Sequence, residues 1–150
     1  MNRRALTLTA LLFLSLLIPA APLWAGHDMG EMGGSGKTIN LEGSHQDGVM
    51  AMATLHDVRE AMAKHGMKET HHMMVMFTDM KDNKPLIEGT VAVKVIDPAG
   101  AKGEPLKMIL MGDGFGTDVA LAAPGKYGFE VGTKLADGKR RVFTFTLDKK

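Results

Sequence analysis

Seven short segments between residue 48 and the C-terminus alternate apolar with polar side chains. An alternation with a period of two is typical of a strand with one buried face. Turn signals separate the segments, among them Pro98-Ala99-Gly100, Pro124-Gly125 and Asp137-Gly138. Short strands at this spacing in about 100 residues predict an all-β fold, an immunoglobulin-like β-sandwich of about seven strands.

One segment of this region has a helical pattern instead. Asp57 followed by Glu60 is an aspartate version of the capping box, which marks a helix start. Gly66 suits the left-handed C-terminal cap. An apolar stripe at helical spacing lies between them: Val58, Ala61, Met62 and His65. We therefore expect one short helix that packs by this stripe on the sandwich.

The N-terminus has the pattern of a secretory signal. Arg3 and Arg4 precede an apolar run over residues 5–18, Pro19 ends the run, and Ala25 is the small residue expected at a cleavage site. The run is short for a membrane span, which needs about 20 residues. We predict a signal peptide over residues 1–25, export to the periplasm, and no transmembrane segment after signal removal.

Residues 26–47 are rich in glycine and polar side chains and have no apolar period, which predicts a flexible tail before a domain at residues 48–150. The tail contains "GHDMGEM", with His27, Met29 and Met32. Two interpretations stay open: a solvated linker, or an arm that captures metal. If cleavage follows Ala25, the free amine and His27 would suit Cu(II) or Ni(II).

Charge and cysteine content exclude several classes. The chain has 18 basic and 17 acidic residues, whereas nucleic-acid binding requires basic patches. It has no cysteine, so it has neither a disulfide nor a thiolate metal site. The sequence shows no nucleophile elbow, and its six histidines lack the spacing of a zinc hydrolase helix. We therefore predict that the protein is not an enzyme.

Methionine is the unusual component, with 13 in 150 residues. Its flexible side chain specifies a core poorly, and its sulfur is open to oxidation in an exported protein. Thioether sulfur is, however, a soft ligand that selects Cu(I), and imidazole also suits copper. Methionine with histidine is the soft ligand set that an oxidising compartment leaves available.

The densest such set is the stretch "HHMMVMFTD", residues 71–79. In a strand, Val75 and Phe77 would face the core, and the opposite face would carry His72, Met74 and Met76. We expect neighbouring side chains of this row to bind one metal ion, with another strand or loop supplying the third ligand. The alternative is that both faces are buried and the methionines only fill space.

Other segments offer further ligands. Residues 49–56 alternate so that Met50, Met52 and His56 share one face. The strand expected at residues 106–111 ends in Met111, followed by an expected loop over residues 112–116 and a strand over residues 117–122.

Four segments together carry a family resemblance: "HHMMVMFTD", "GTVAVKVIDPAG", "LKMILMGDG" and "APGKYGFEVGTKLADGKRR". Over roughly residues 71–147 the chain resembles the YtkA-like domain family of small exported β-sandwiches, and more loosely periplasmic copper-resistance proteins and copper carriers. The resemblance implies architecture more firmly than activity. Relatives often have a histidine after the methionine-bearing strand, where this chain has "MGDGFG" with Met111 and Asp113 as the remaining ligands.

These observations predict a periplasmic metal-binding protein, a chaperone or buffer for copper, chiefly Cu(I). Its partners would be the ion and an envelope metal exporter or an oxidase assembly protein. The alternative is a non-enzymatic β-sandwich interaction module, accessory to an envelope transport system, with methionines only in packing. Carriage of ferrous iron or nickel is a third hypothesis.

Overall fold

A computed structural model describes residues 36–150 of the chain. Within this range the chain forms nine antiparallel strands and one short helix. In chain order they are β1 Thr38–Asn40, β2 Ser44–Gln46, β3 Val49–Asp57, α1 Arg59–Lys64, β4 His71–Asp79, β5 Gly89–Ile96, β6 Leu106–Met111, β7 Gly114–Val119, β8 Gly125–Leu135 and β9 Arg140–Lys149.

The seven longest strands divide between two faces of a curled sheet. One face has the order β3-β4-β7-β6 and the other β5-β8-β9. Strand β6 joins them, because its first half pairs with β5 and its second half with β7. With β3 taken as the first strand, this is the strand order of a constant-type immunoglobulin sandwich.

The inner faces of both halves meet in one apolar core. Phe77 of β4 and Phe143 of β9 lie with ring centroids 5.4 Å apart, and Phe77 also contacts Phe115 of β7 at 6.0 Å. Tilted aromatic contacts of this kind add to the stabilisation from burial. The prediction of an all-β sandwich is therefore confirmed.

Tyr127, near the start of β8, closes the connection between the two faces. Its buried hydroxyl donates to the carbonyl oxygen of Ala123 at 2.9 Å and accepts from the Ala123 N–H at 3.1 Å. This is the arrangement of the tyrosine corner of immunoglobulin-like domains. The only tyrosine of the chain therefore has a structural role.

Replacing Tyr127 with phenylalanine is expected to destabilise the protein by about 1–2 kcal/mol, because both backbone groups of Ala123 lose their partner. Chemical denaturation followed by circular dichroism measures the change. Phe129 to leucine, a buried substitution in the same strand without a hydroxyl, is the packing control. An unchanged midpoint for Tyr127→Phe would contradict the role assigned to the corner.

The prediction of a flexible tail up to residue 47 is wrong for the part that the structure describes. Strands β1 and β2 pair with β3 there. The reason is that Leu41 is buried and Ile39 packs against the core, which holds two very short strands in place. The predicted signal peptide and the tail residues His27, Met29 and Met32 lie outside the described residues.

The helix forms where it was expected, but its details differ. Asp57 accepts a hydrogen bond from the Arg59 N–H at 3.0 Å, whereas Glu60 pairs with Lys64, so the expected capping box is absent. None of the α1 residues is buried, and His65 after the helix is exposed, so the expected packing of the apolar stripe is wrong for His65. Gly66 does end the helix with a positive φ of 67°. No helix in residues 36–150 is long and apolar enough to cross a membrane.

Candidate metal centre

Strand β4 separates its side chains as the alternation predicts. Val75 and Phe77 are fully buried, while Met76 is 40% exposed and His72 and Met74 are half-buried on the outer face. His71 belongs to the inner set. Burial lowers its pKa, and its Nδ1 lies 2.8 Å from the hydroxyl oxygen of Thr70. His72 is therefore the histidine of this pair that faces outward.

The outer face of β4 is flanked by two strands. On the β7 side, Asp118 lies opposite His72 and Gly116 lies opposite Met74. On the β3 side, His56 lies opposite His72 and Met52 lies opposite Met76. Directly opposed residues share a face of the sheet with Cβ atoms about 4.5–5.5 Å apart.

Gly116 leaves a space on which one imidazole nitrogen and two soft thioether sulfurs converge. A methyl group on Gly116 would lie 2.8 Å from Nε2 of His72, 2.8 Å from Sδ of Met74 and 2.9 Å from Sδ of Met111. For scale, zinc binds nitrogen at about 2.0–2.1 Å and sulfur at about 2.3 Å. One nitrogen and two sulfurs therefore lie within 2.9 Å of one position beside the Gly116 backbone, which is farther than the bonding distances of a metal ion.

The hairpin of β6 and β7 supplies the third donor. Gly112, with φ of 62°, makes the turn, and Met111 then pairs with Gly114 next to Gly116. A side chain at Gly114 would also be tightly packed, since a methyl group there would lie 3.0 Å from Cγ of Met76. The two glycines thus let methionines of both neighbouring strands lie across β7.

Asp118 fixes the orientation of the histidine. Its Oδ1 lies 2.6 Å from Nδ1 of His72, and both side chains are partly buried. A carboxylate only accepts hydrogen bonds, so Nδ1 of His72 carries the hydrogen and donates it. In the neutral imidazole with this tautomer, the lone pair is on Nε2, the atom that faces the space over Gly116. Ligating histidines in metal sites commonly have such a carboxylate partner.

The structure brings together three of the seven residues predicted as ligands in the domain: His72, Met74 and Met111. Met76 lies beside them over Gly114. Met50 and Met52 lie farther along the same outer face. His56 is opposite His72, but its Nδ1 is 3.0 Å from the hydroxyl oxygen of Thr38. These four are not among the donors that converge over Gly116.

The expected loop over residues 112–116 is wrong in its second half. Gly114, Phe115 and Gly116 belong to β7, which ends at Val119. Their alternation is the sequence signal of this strand, because it places Gly114, Gly116 and Asp118 on one face and Phe115 in the core. Neither Gly116 nor Asp118 was predicted to contribute to the site.

The donor set is chemically distinctive. Within residues 36–150, no group of three or more histidine, aspartate or glutamate side chains could hold a metal ion. The converging set is completed by thioethers instead, which are soft and uncharged. Comparison of the chain with protein-family models, curated proteins and solved structures finds no match.

Proposed function

We propose that this protein binds Cu(I) through His72, Met74 and Met111 and serves as an exported carrier or buffer of that ion. The convergence of Nε2 and two Sδ atoms on the point over Gly116 is the observation that carries the proposal. An ion would lie outward of that point, away from the Gly116 backbone, and methionine's three rotatable bonds allow the two sulfurs to adjust to it.

The charge of the site favours a monovalent ion. All three donors are neutral, and Asp118 supplies one negative charge through its contact with His72. One carboxylate balances the single charge of Cu(I). Divalent ions of hard character, such as Mg²⁺ and Ca²⁺, require oxygen ligands that this set does not offer. Zn²⁺ is bound mainly by thiolate, imidazole and carboxylate, so two thioethers favour copper over zinc.

Partial exposure suits a cargo that is passed on. His72 retains about a quarter of its side-chain surface and Met76, next to the site, is 40% exposed. A receiving protein could therefore approach the donors without unfolding the sandwich. We infer that the site loads and releases its ion by exchange of ligands. The predicted signal peptide would place this activity in the periplasm, with an exporter or oxidase assembly protein as the recipient.

One observation favours the alternative of an interaction module. Several large apolar side chains of the β6 and β3 region are exposed, including Ile109 at 57% and Met52 at 53%. Such a surface is typical of protein contacts. The interaction-module hypothesis explains this exposure but gives no reason for the convergence of His72, Met74 and Met111.

Metal analysis of the protein purified from its own envelope, with anaerobic competition against a chromophoric Cu(I) chelator, tests the proposal. We expect tight binding of Cu(I) and far weaker binding of Zn²⁺. Tyr127 is the only tyrosine, and the only tryptophan lies in the predicted signal, so new near-ultraviolet bands should be readily seen. Equal affinity for both ions would contradict the proposal.

Replacing Asp118 with asparagine is expected to lower Cu(I) affinity by roughly 10–100-fold, the usual effect of losing a partner that orients a ligating histidine. The amide no longer fixes the hydrogen on Nδ1 of His72, and it removes the balancing charge. Competition with the same chelator measures the loss. Asp148→Asn, on the opposite half of the sandwich, is the control and should bind as the wild type does. Equal affinities for the two variants would remove Asp118 from the site.

A further inference from the structure

A row of soft side chains continues beyond the site just described. Met50, Met52 and Met76 are 41%, 53% and 40% exposed on the outer face. Exposed methionines contribute little to the core, and in an exported protein they invite oxidation. Their position on one face therefore calls for a reason other than packing.

The strand register adds a histidine to this row. His45 of β2 lies directly opposite Met50 of β3, so the two side chains share the outer face. Met52 is the next outward residue of β3, about 7 Å along the strand, and it lies opposite Met76. Potential ligands thus occupy successive positions on the outer face, from β2 across β3 to β4.

The ring of His45 is available as a ligand. His45 is exposed, and in residues 36–150 its side chain has no hydrogen-bond partner, whereas His56, His71 and His72 each have one. An imidazole beside two thioethers is the same combination of donors that converges over Gly116. It occurs here at the rim of the sheet, where the three side chains are exposed to solvent.

We propose that His45, Met50 and Met52 form a second, weaker Cu(I) position, from which Met76 passes the ion to the His72 site. The transfer is an exchange of ligands in which the ion remains Cu(I). Each new thioether bond forms as an earlier nitrogen or sulfur bond breaks, so neither electrons nor protons are consumed. The passage to His72 rests on the proposed function, but binding at His45 does not.

The second position is weaker because its donors are not held in place. Exposed methionines lose side-chain entropy when an ion fixes them. Among residues 36–150, His45 has no carboxylate partner of the kind that Asp118 provides for His72. We expect its affinity to be at least about tenfold lower than that of the His72 site, consistent with the effect of such partners on metal affinity.

Equilibrium titration with Cu(I) under anaerobic conditions, against chelators of graded strength, tests the second position. Met50→Leu with Met52→Leu should bind one equivalent fewer than the wild type, and the tight affinity should change by less than about threefold, as expected when no ligand of that site is touched. His45→Asn should lower only the weak affinity. Met67→Leu, an exposed methionine outside the row, is the control and should change nothing.

The outcomes separate this inference from the proposed function. A Met50→Leu, Met52→Leu variant that keeps every equivalent at wild-type affinity overturns the second position and leaves the His72 site intact. Absence of tight Cu(I) binding in the wild type overturns the proposed function instead.

The passage through Met76 predicts a slower rate of loading. When a Cu(I)-chelator complex donates the ion, the Met76→Leu variant should fill the His72 site more slowly than the wild type, with unchanged Cu(I) affinity. An unchanged loading rate overturns the passage.

Discussion

Replacing Met74 and Met111 together with leucine is expected to lower Cu(I) affinity by about a thousandfold, or ~4 kcal/mol of binding free energy. The substitutions remove both sulfur donors and leave a single imidazole, which has little selectivity for Cu(I). The metal-free fold should change little, because both side chains are half-buried and exchanges between leucine and methionine usually cost under about 1.5 kcal/mol each. Chelator competition and thermal melting of the metal-free protein measure the two quantities.

The same two strands provide a matched control. Met73 and Met108 are buried on the inner faces of β4 and β6. Changing both to leucine should leave Cu(I) affinity unchanged and shift the melting temperature, since a packed core responds to changes in shape. If the Met74 and Met111 variant retained its affinity and lost stability instead, the methionines would be packing residues and the interaction-module hypothesis would stand.

The strand faces were predictable because they depend on local sequence alone. The alternation in "HHMMVMFTD" assigns Val75 and Phe77 to the core, and this assignment requires no knowledge of neighbouring strands. The same reasoning places Met50 and Met52 outward in β3, as the structure has them. The local alternation does not reveal which of these outward residues lie close together on neighbouring strands.

The convergence of donors depends on register, which sequence does not disclose at long range. Met111 reaches the space over Gly116 because β6 and β7 form a tight hairpin and β7 pairs with β4. Residues 74 and 111 are distant in the chain, so no local period relates them. Met111 was predicted as a ligand, but the sequence did not indicate which of the other six candidates would lie beside it.

The predicted secondary structure was wrong at two glycine-containing segments for the same physical reason. Glycine is depleted in strands, so "MGDGFG" was assigned to a loop and the glycine-rich tail to disorder. In β7, however, Gly114 and Gly116 admit the side chains that cross the strand. In the segment that was predicted to be a flexible tail, Leu41 is buried in the core and Ile39 packs against it, although glycine and polar residues lie around them in the sequence. A glycine in a strand often marks the close approach of another group, and here the group is the donor set.

Replacing Gly116 with alanine is expected to lower Cu(I) affinity by about a hundredfold, or ~3 kcal/mol, although no donor is altered. The new methyl group would occupy the point at which Nε2 of His72 and the sulfurs of Met74 and Met111 converge, 2.8–2.9 Å from each. Nonbonded carbon contacts require about 3.5–4.0 Å, so the donors must move apart. The three donors can then no longer bind one ion together.

The fold should tolerate this alanine, which makes the test specific. The atoms that must move are the ends of side chains, and Gly116 does not have the left-handed backbone that excludes other residues. The metal-free protein should therefore remain folded with at most a modest fall in melting temperature, because the His72 ring, which Asp118 holds, must shift while alanine restricts the unfolded chain. Gly132→Ala, a β8 position where the methyl group would meet only the Ala92 carbonyl oxygen at 3.9 Å, should keep full affinity. Wild-type affinity in Gly116→Ala would show that the donors around Gly116 do not form the binding site, because they could not stay as close together around a methyl group.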